Sequence, residues 1–331
     1  MKIIIDSAIP YIKGIFEPYA EVVYRPGDGF TQEDVAQADM LIIRTRTKCN
    51  AELLEGSKVR LIATATIGFD HIDLGYCARR GIEVVTAQGC NAAGVLQWVA
   101  AALALLSKEE GWLPHERTLG IVGVGNVGSL VERYAREWGF KVLCCDPPRK
   151  EREGGDFISI EELLAQSDIV TLHTPLDATT HHMICHDTLA LMRPDATLIN
   201  ASRGEVAQSE ALLDAPQKLI LDVWENEPNI NRQLLAKARV ATPHIAGYSK
   251  QGKANAASAV VRAAAKHFSL PLNDWYPKEV NPMERREISW QQLCSTISDF
   301  CDLDTESATL KKRMEEFEAL RNNYNYREEY F

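Results

Sequence analysis

Short apolar runs separated by helix-length stretches recur along this 331-residue chain, and no other feature of the sequence restricts the fold as strongly. The first series is KIIID (2 to 6), EVVYRP (21 to 26), MLIIRTRT (40 to 47), RLIATAT (60 to 66) and EVVTAQG (83 to 89). After residue 117 the pattern repeats with TLGIVGVG, KVLCCD, DIVTLHT, TLINASRG, KLILDVW and RVATPH. Strands alternating with helices pair in parallel and need cover on both faces. The length also exceeds what one hydrophobic core usually organises. The expectation is an α/β protein of two doubly wound parallel-sheet domains.

The stretches between and after these series set the boundaries. Ala92 to Ser107 (AAGVLQWVAAALALLS) is apolar all round, which fits a buried helix linking the halves and is short for a membrane span. Lys253 to Phe268 (KANAASAVVRAAAKHF) reads as a helix crossing back, so the first domain is expected to be discontinuous, 1–91 with 254–281, around a second domain at 92–253. Pro271, Pro277 and Pro282 punctuate a linker, and 282–331 forms a small charged element with interspersed aromatics. Leu310, Met314, Phe317 and Leu320 share one helical face there. A dimer contact and an intrachain docking helix satisfy that pattern equally.

Charge and cysteine usage exclude whole classes of partner. The formal charge is -10 and no lysine or arginine run supplies a basic face, which argues against nucleic acid and for small molecules. The opening MKIIIDSAIP lacks the apolar region and cleavage site of a secretory signal, so a cytoplasmic, non-membrane protein is expected. Cysteines 49, 77, 90, 144, 145, 185, 294 and 301 show neither CxxC nor Cys/His metal spacing, and read as buried reduced thiols rather than a metal site.

Gly123, Gly125 and Gly128, with Asn126 and Val127 between them, form GVGNVG after the apolar strand TLGIV and before the helix-like SLVERYAREWG. Glycines there allow a tight turn and close backbone approach to a pyrophosphate, whose charge meets the helix N-terminus. Asp146 ends the next strand 18 residues after Gly128, placed to accept hydrogen bonds from ribose hydroxyls. A carboxylate there repels a 2'-phosphate, which favours NAD over NADP, although Arg149 stands nearby. Thr174 and Asp222 end later strands, on the edge where open parallel sheets bind ligands.

Arg203 in NASRGE, Glu227 in DVWENEP and His244 in TPHIAGY follow successive predicted strands. Taking a hydride from an alcohol requires a base for its proton, and histidine's intrinsic pKa suits that task. A carboxylate such as Glu227 orients the imidazole of His244 and favours its protonated form. The planar fork of Arg203 matches a substrate carboxylate. Arg44, Arg46 and Lys48 cluster at the end of a first-domain strand, where alternation puts Arg44 and Arg46 on one face for a phosphate. A solvated basic loop is the alternative for Arg46 and Lys48. His71 is expected to pack or cap rather than react.

GxGxxG, a strand-ending Asp, NxxRG, DVxExEP and PHIAG occur in the order found in the D-2-hydroxyacid dehydrogenase family, which the chain resembles from Asn91 to Tyr248. The resemblance implies a flavodoxin-like substrate domain, a Rossmann NAD domain and a C-terminal dimerisation element at 282–331, hence a homodimer. It implies Arg203, Glu227 and His244 as the catalytic set. Within the family, RTRTK (44 to 48), TATIGFDHID (64 to 73), GCNAAGV (89 to 95), TPHIAGYSKQGKA and FEALRNNYNYRE resemble a branch acting on a small phosphorylated 2-hydroxy acid. By that resemblance Thr45, Thr66 and Tyr248 contact substrate, while Asp146, Thr174, Ala201, Ser202, Arg203, Asp222 and Gly247 contact NAD. Gln97 and Trp98 depart from the Glu-Tyr pair of other members. A dehydrogenase of the 3-phosphoglycerate or glycerate type, or an NAD-sensing interaction protein of the same fold, would share most of these marks.

Overall fold

The computed structural model describes residues 1–331. Its first five strands, β1 (Lys2–Asp6), β2 (Glu21–Arg25), β3 (Met40–Ile43), β4 (Leu61–Thr64) and β5 (Glu83–Thr86), form one sheet in the order β2-β1-β3-β4-β5. Every pairing is parallel. Side chains of a strand alternate between faces, and both faces here are buried. Ile4, Leu41, Ile43 and Ile62 join one apolar cluster, whereas Ile3, Ile5, Met40, Ile42 and Leu61 join another with Ala257, Val260 and Val261 of the helix Lys250–Phe268. Residues 1–91 and 250–282 thus make one unit, discontinuous in sequence.

The second unit, 92–249 with 283–331, is built on β6 (Thr118–Val122), β7 (Lys141–Cys145), β8 (Ile169–Leu172), β9 (Thr197–Asn200), β10 (Lys218–Leu221) and β11 (Val240–Ala241). These pair in parallel in the order β11-β10-β9-β8-β6-β7. Beyond β7, Phe157 makes a single parallel bridge to Cys144, a further strand reduced to one rung. With that rung counted, the order is that of a Rossmann sheet, and the first sheet has the flavodoxin-like order.

The apolar stretch after residue 91 is the helix Ala92–Glu110, which packs against the helices Asn126–Trp138 and Trp290–Phe300. Trp290 stacks on Trp112 and lies 5.5 Å from both Trp138 and Phe140, centroid to centroid. The alternatives for the C-terminal amphipathic face are settled at the level of one chain: Leu310 and Phe317 are buried in the cluster of Leu198, Leu219 and Leu234, with Met314 and Leu320 packed on it. The face is an intrachain docking surface. None of the eight cysteines is bonded to another, and five are buried. No helix is long and apolar enough to cross a membrane.

Candidate active site

In doubly wound sheets, ligands bind beyond the carboxyl ends of the strands where the strand order reverses. In the second unit that point lies between β6 and β8, whose ends carry Gly123 and Thr174. Each glycine of GVGNVG has its own steric reason. Gly123 has φ 83°, and a Cβ on it would lie 2.9 Å from backbone atoms of His173 and Thr174. A Cβ on Gly128 would lie 2.0 Å from the Gly123 carbonyl oxygen, so the helix Asn126–Trp138 can approach β6 only with glycine there. A Cβ on Gly125 would meet nothing within 4 Å. That open space lies at the N-cap of the helix, where no side chain takes up the terminal N–H groups.

The donor and acceptor set fits a dinucleotide. The Thr174 hydroxyl is buried with no partner in the protein. Asp146 caps the following turn, accepting from the Val124 and Arg149 N–H groups at 2.8 and 2.9 Å, and its two oxygens retain lone pairs for ribose hydroxyls. Arg149 is committed: its Nε donates to Glu153 at 2.8 Å and its Nη1 to the Val124 carbonyl at 3.0 Å. Both facts favour a free 2'-hydroxyl and therefore NAD.

Arg203, Glu227 and His244 follow β9, β10 and β11, three adjacent strands, on their carboxyl edge. Asn200 builds the turn for Arg203, donating to its carbonyl at 2.9 Å and accepting from the Ser202 N–H and hydroxyl. Gly204 is required next, because a Cβ there would fall 2.0 Å from the Trp224 carbonyl carbon. The Arg203 Nη1 donates to the Ser202 carbonyl at 2.8 Å, which folds the guanidinium over its own loop.

Glu227 and His244 meet directly. His244 Nδ1 lies 2.8 Å from Glu227 Oε2, while Glu227 Oε1 accepts the Trp224 N–H at 3.0 Å. Burial opposes ionisation of Glu227, but the His244 charge and hydrogen bond, aided by Arg321 and the Trp224 N–H, outweigh it and hold the carboxyl below its ordinary range. His244 has φ 58°, a left-handed conformation costing about 1 kcal/mol or more. Its N–H donates to the Asp222 carbonyl at 2.8 Å. Asp222 itself is buried, accepting from the Thr242 hydroxyl and from the Ile245 and Ala246 N–H groups at 2.5, 2.8 and 2.9 Å. Its carboxylate thereby shapes the loop carrying His244, Gly247 and Tyr248.

The first unit has its reversal between β1 and β3, where Asp6 and Arg44 lie. Arg44 Nε donates at 3.0 Å to Asp6, whose side chain is fully buried. The expected alternation beyond Ile43 does not occur: the Thr47 N–H bonds the Arg44 carbonyl and its hydroxyl bonds the Gly27 carbonyl at 2.7 Å, so 44–47 is a turn. A tertiary anchor, the buried Thr47, overrides the strand there. Thr45 and Arg46 are exposed on this turn. Thr66 shares a 2.6 Å hydrogen bond with Thr64 and donates to the Gly68 carbonyl. His71 is held below its ordinary pKa by burial, with Asp70 opposing, consistent with a packing role.

Residues 97–246 match the model of the D-isomer specific 2-hydroxyacid dehydrogenase, NAD binding domain. The erythronate-4-phosphate dehydrogenase of Bacteroides thetaiotaomicron is 45% identical, over 99% of this chain and 97% of that protein. That of Bacteroides fragilis is 43% identical over the same shares. The chain belongs to the D-isomer-specific 2-hydroxyacid dehydrogenase family. Among solved structures, NAD-bound 3-phosphoglycerate dehydrogenase of Entamoeba histolytica superposes with a TM-score of 0.70 at 25% identity, covering 86% of this chain and 99% of that one. The cofactor is NAD: this chain carries the family's NAD-binding domain, and the Entamoeba structure holds NAD.

Within this family member, four groups that shape the site escaped the sequence reading. Asn200 and Gly204 lay inside a quoted motif, and their roles follow from the tight turn around Arg203. Arg321 and Arg327 come from the C-terminal segment. Arg327 is buried and donates to the carbonyls of Gly94 (3.0 Å), Ile245 (3.1 Å) and Ala246, so it holds the carbonyls of the same two loop residues whose N–H groups Asp222 accepts. No local pattern announces such contacts.

Proposed function

We propose that the chain oxidises 4-phospho-D-erythronate at C2, giving (R)-3-hydroxy-2-oxo-4-phosphobutanoate, a step of pyridoxal 5'-phosphate synthesis. The observation that carries the chemistry is the His244–Glu227 pair at 2.8 Å, on the strand edge of an NAD-binding domain. The names of the relatives, matched along nearly their whole length, support the substrate.

In this reading NAD, when bound, supplies the acceptor for the C2 hydride. Gly123, Gly125, Asn126, Val127 and Gly128 would cradle its pyrophosphate, Asp146 would take a ribose, and Thr174, Ala201, Ser202, Arg203, Asp222 and Gly247 would complete its contacts. Because Nδ1 of His244 faces Glu227, Nε2 is the nitrogen that takes the C2 hydroxyl proton. Glu227 keeps the ring oriented and balances the imidazolium that forms. Arg203 holds the substrate carboxylate. Arg44, Thr45, Arg46, Thr66 and Tyr248 bind the remainder, and Arg44, braced by buried Asp6, suits a phosphate.

On the same reading, 1–91 with 254–281 serves the substrate, 92–253 the cofactor and 282–331 a homodimer contact, in the cytoplasm. The test is NADH formation from purified protein with 4-phosphoerythronate, beside 3-phosphoglycerate and unphosphorylated erythronate, with His244→Ala as control. Turnover of 4-phosphoerythronate that vanishes in the variant is expected. Preference for another acid would retain the family and move the substrate; NAD binding with no turnover of any acid would favour a cofactor sensor.

A further inference from the structure

The helix Phe317–Asn322 brings Arg321 to the pair that carries the proposed proton transfer. Its Nη1 lies 3.6 Å from Glu227 Oε2, the oxygen that also faces His244 Nδ1. Its Nε donates to the Tyr248 hydroxyl at 3.2 Å, with the guanidinium carbon 6.0 Å from that ring's centre. The side chain is about three-quarters buried, at 27% exposure, so water screens this cluster less than it would a surface pair. We infer that Arg321 is a positioning residue of the reaction site, fixing the Glu227 carboxylate and the Tyr248 hydroxyl from the C-terminal segment.

The segment is anchored on both sides of Arg321. Upstream, Phe317 is buried in the apolar cluster under β9 and β10. Downstream, Arg327 grips the carbonyls of the His244 loop, Ser249 pairs with Arg327 as a parallel bridge, and the Ser249 hydroxyl donates to Glu329 at 2.5 Å. Tyr324 and Tyr326 stand edge-on to Tyr248, with centroids 6.2 and 6.0 Å away. A guanidinium held this way does two things. It shares Glu227 Oε2 with the imidazole, which restrains the carboxylate to one rotamer. It also sets a fixed positive charge 3.6 Å from the oxygen that faces His244 Nδ1, so Glu227 stays an ionised acceptor for that N–H.

The inference rests on the dehydrogenase reading, and its test separates the two. Arg321→Met and Arg321→Lys are made in the full chain, with NADH binding followed by fluorescence and the imidazole resonances of His244 followed by NMR at neutral pH, without substrate. In Arg321→Met the His244 ring resonances move from their wild-type positions, because the carboxylate that faces Nδ1 is no longer held. Arg321→Lys returns part of that shift. With whichever hydroxy acid the wild type oxidises, Arg321→Met lowers kcat about tenfold or more while NADH affinity stays within about twofold. His244 ring resonances identical in wild type and Arg321→Met overturn the inference, as does loss of NADH binding in step with kcat in both variants. Failure of the dehydrogenase reading would instead show in the wild type, as absence of turnover, and would leave the NMR comparison intact.

Discussion

Glu227 sits between an imidazole and a guanidinium, with Oε2 at 2.8 Å from His244 Nδ1 and 3.6 Å from Arg321 Nη1. Its carboxyl is consequently held below its ordinary range. A group with a depressed folded pKa stabilises the protein above its unfolded value, about 4.3 for glutamate, and loses that contribution as the pH falls through the folded one. Glu227→Gln should therefore be less stable than wild type at neutral pH, with the difference shrinking below about pH 4. Denaturant titrations at several pH values measure it. Turnover should fall by about 10²-fold or more, because the amide no longer balances the imidazolium. A variant with wild-type kcat would remove Glu227 from the mechanism.

The glycine loop, the strand ends and the order Arg203, Glu227, His244 were legible because each is local: a strand, a turn and the residue that follows. Strand parity failed at Arg44 to Thr47, since the Thr47 hydroxyl finds its partner 20 residues away at Gly27. Arg321 and Arg327 were illegible for the same reason on a larger scale, their partners Tyr248 and Ile245 lying 73 and 82 residues upstream. The apolar face of Leu310, Met314, Phe317 and Leu320 was readable as an interface, but the sequence could not say whether a second chain or the same chain covers it. The packing beneath β9 and β10 answers that for one chain.

Two glycines of one motif should fail in different ways. Gly128→Ala forces a Cβ to within 2.0 Å of a backbone oxygen, and neither the helix nor the strand can yield cheaply. That variant should lose about 1–3 kcal/mol of stability together with NAD binding. Gly125→Ala meets no protein atom within 4 Å. It should melt close to wild type, yet bind NAD at least about tenfold more weakly, because the methyl group occupies space the pyrophosphate needs. Thermal melts beside NADH fluorescence titrations read both effects. Equal NAD affinity in wild type and Gly125→Ala would move the cofactor away from this loop.

Asp222 orders the His244 loop through three accepted hydrogen bonds, two of them from the backbone N–H groups of Ile245 and Ala246. Asparagine keeps the shape but offers one oxygen, so at least one of those donors is left facing an amide NH₂ group. The expected cost is about 1–3 kcal/mol, with kcat reduced because His244 sits two residues ahead of Ala246 on the loop being loosened. The pH dependence runs opposite to that of Glu227. Burial, only partly offset by His244, Thr242 and the two N–H groups, lifts the Asp222 carboxyl above its ordinary range. Wild type therefore loses stability as the pH rises through that raised value, while Asp222→Asn does not. The stability gap between them should narrow from acid toward neutral pH, whereas the gap for Glu227→Gln widens over the same interval. Urea titrations of the two variants in parallel, from pH 4 to pH 8, distinguish these slopes; parallel behaviour of the two variants would mean that the roles of the buried acid and the paired one have been assigned wrongly.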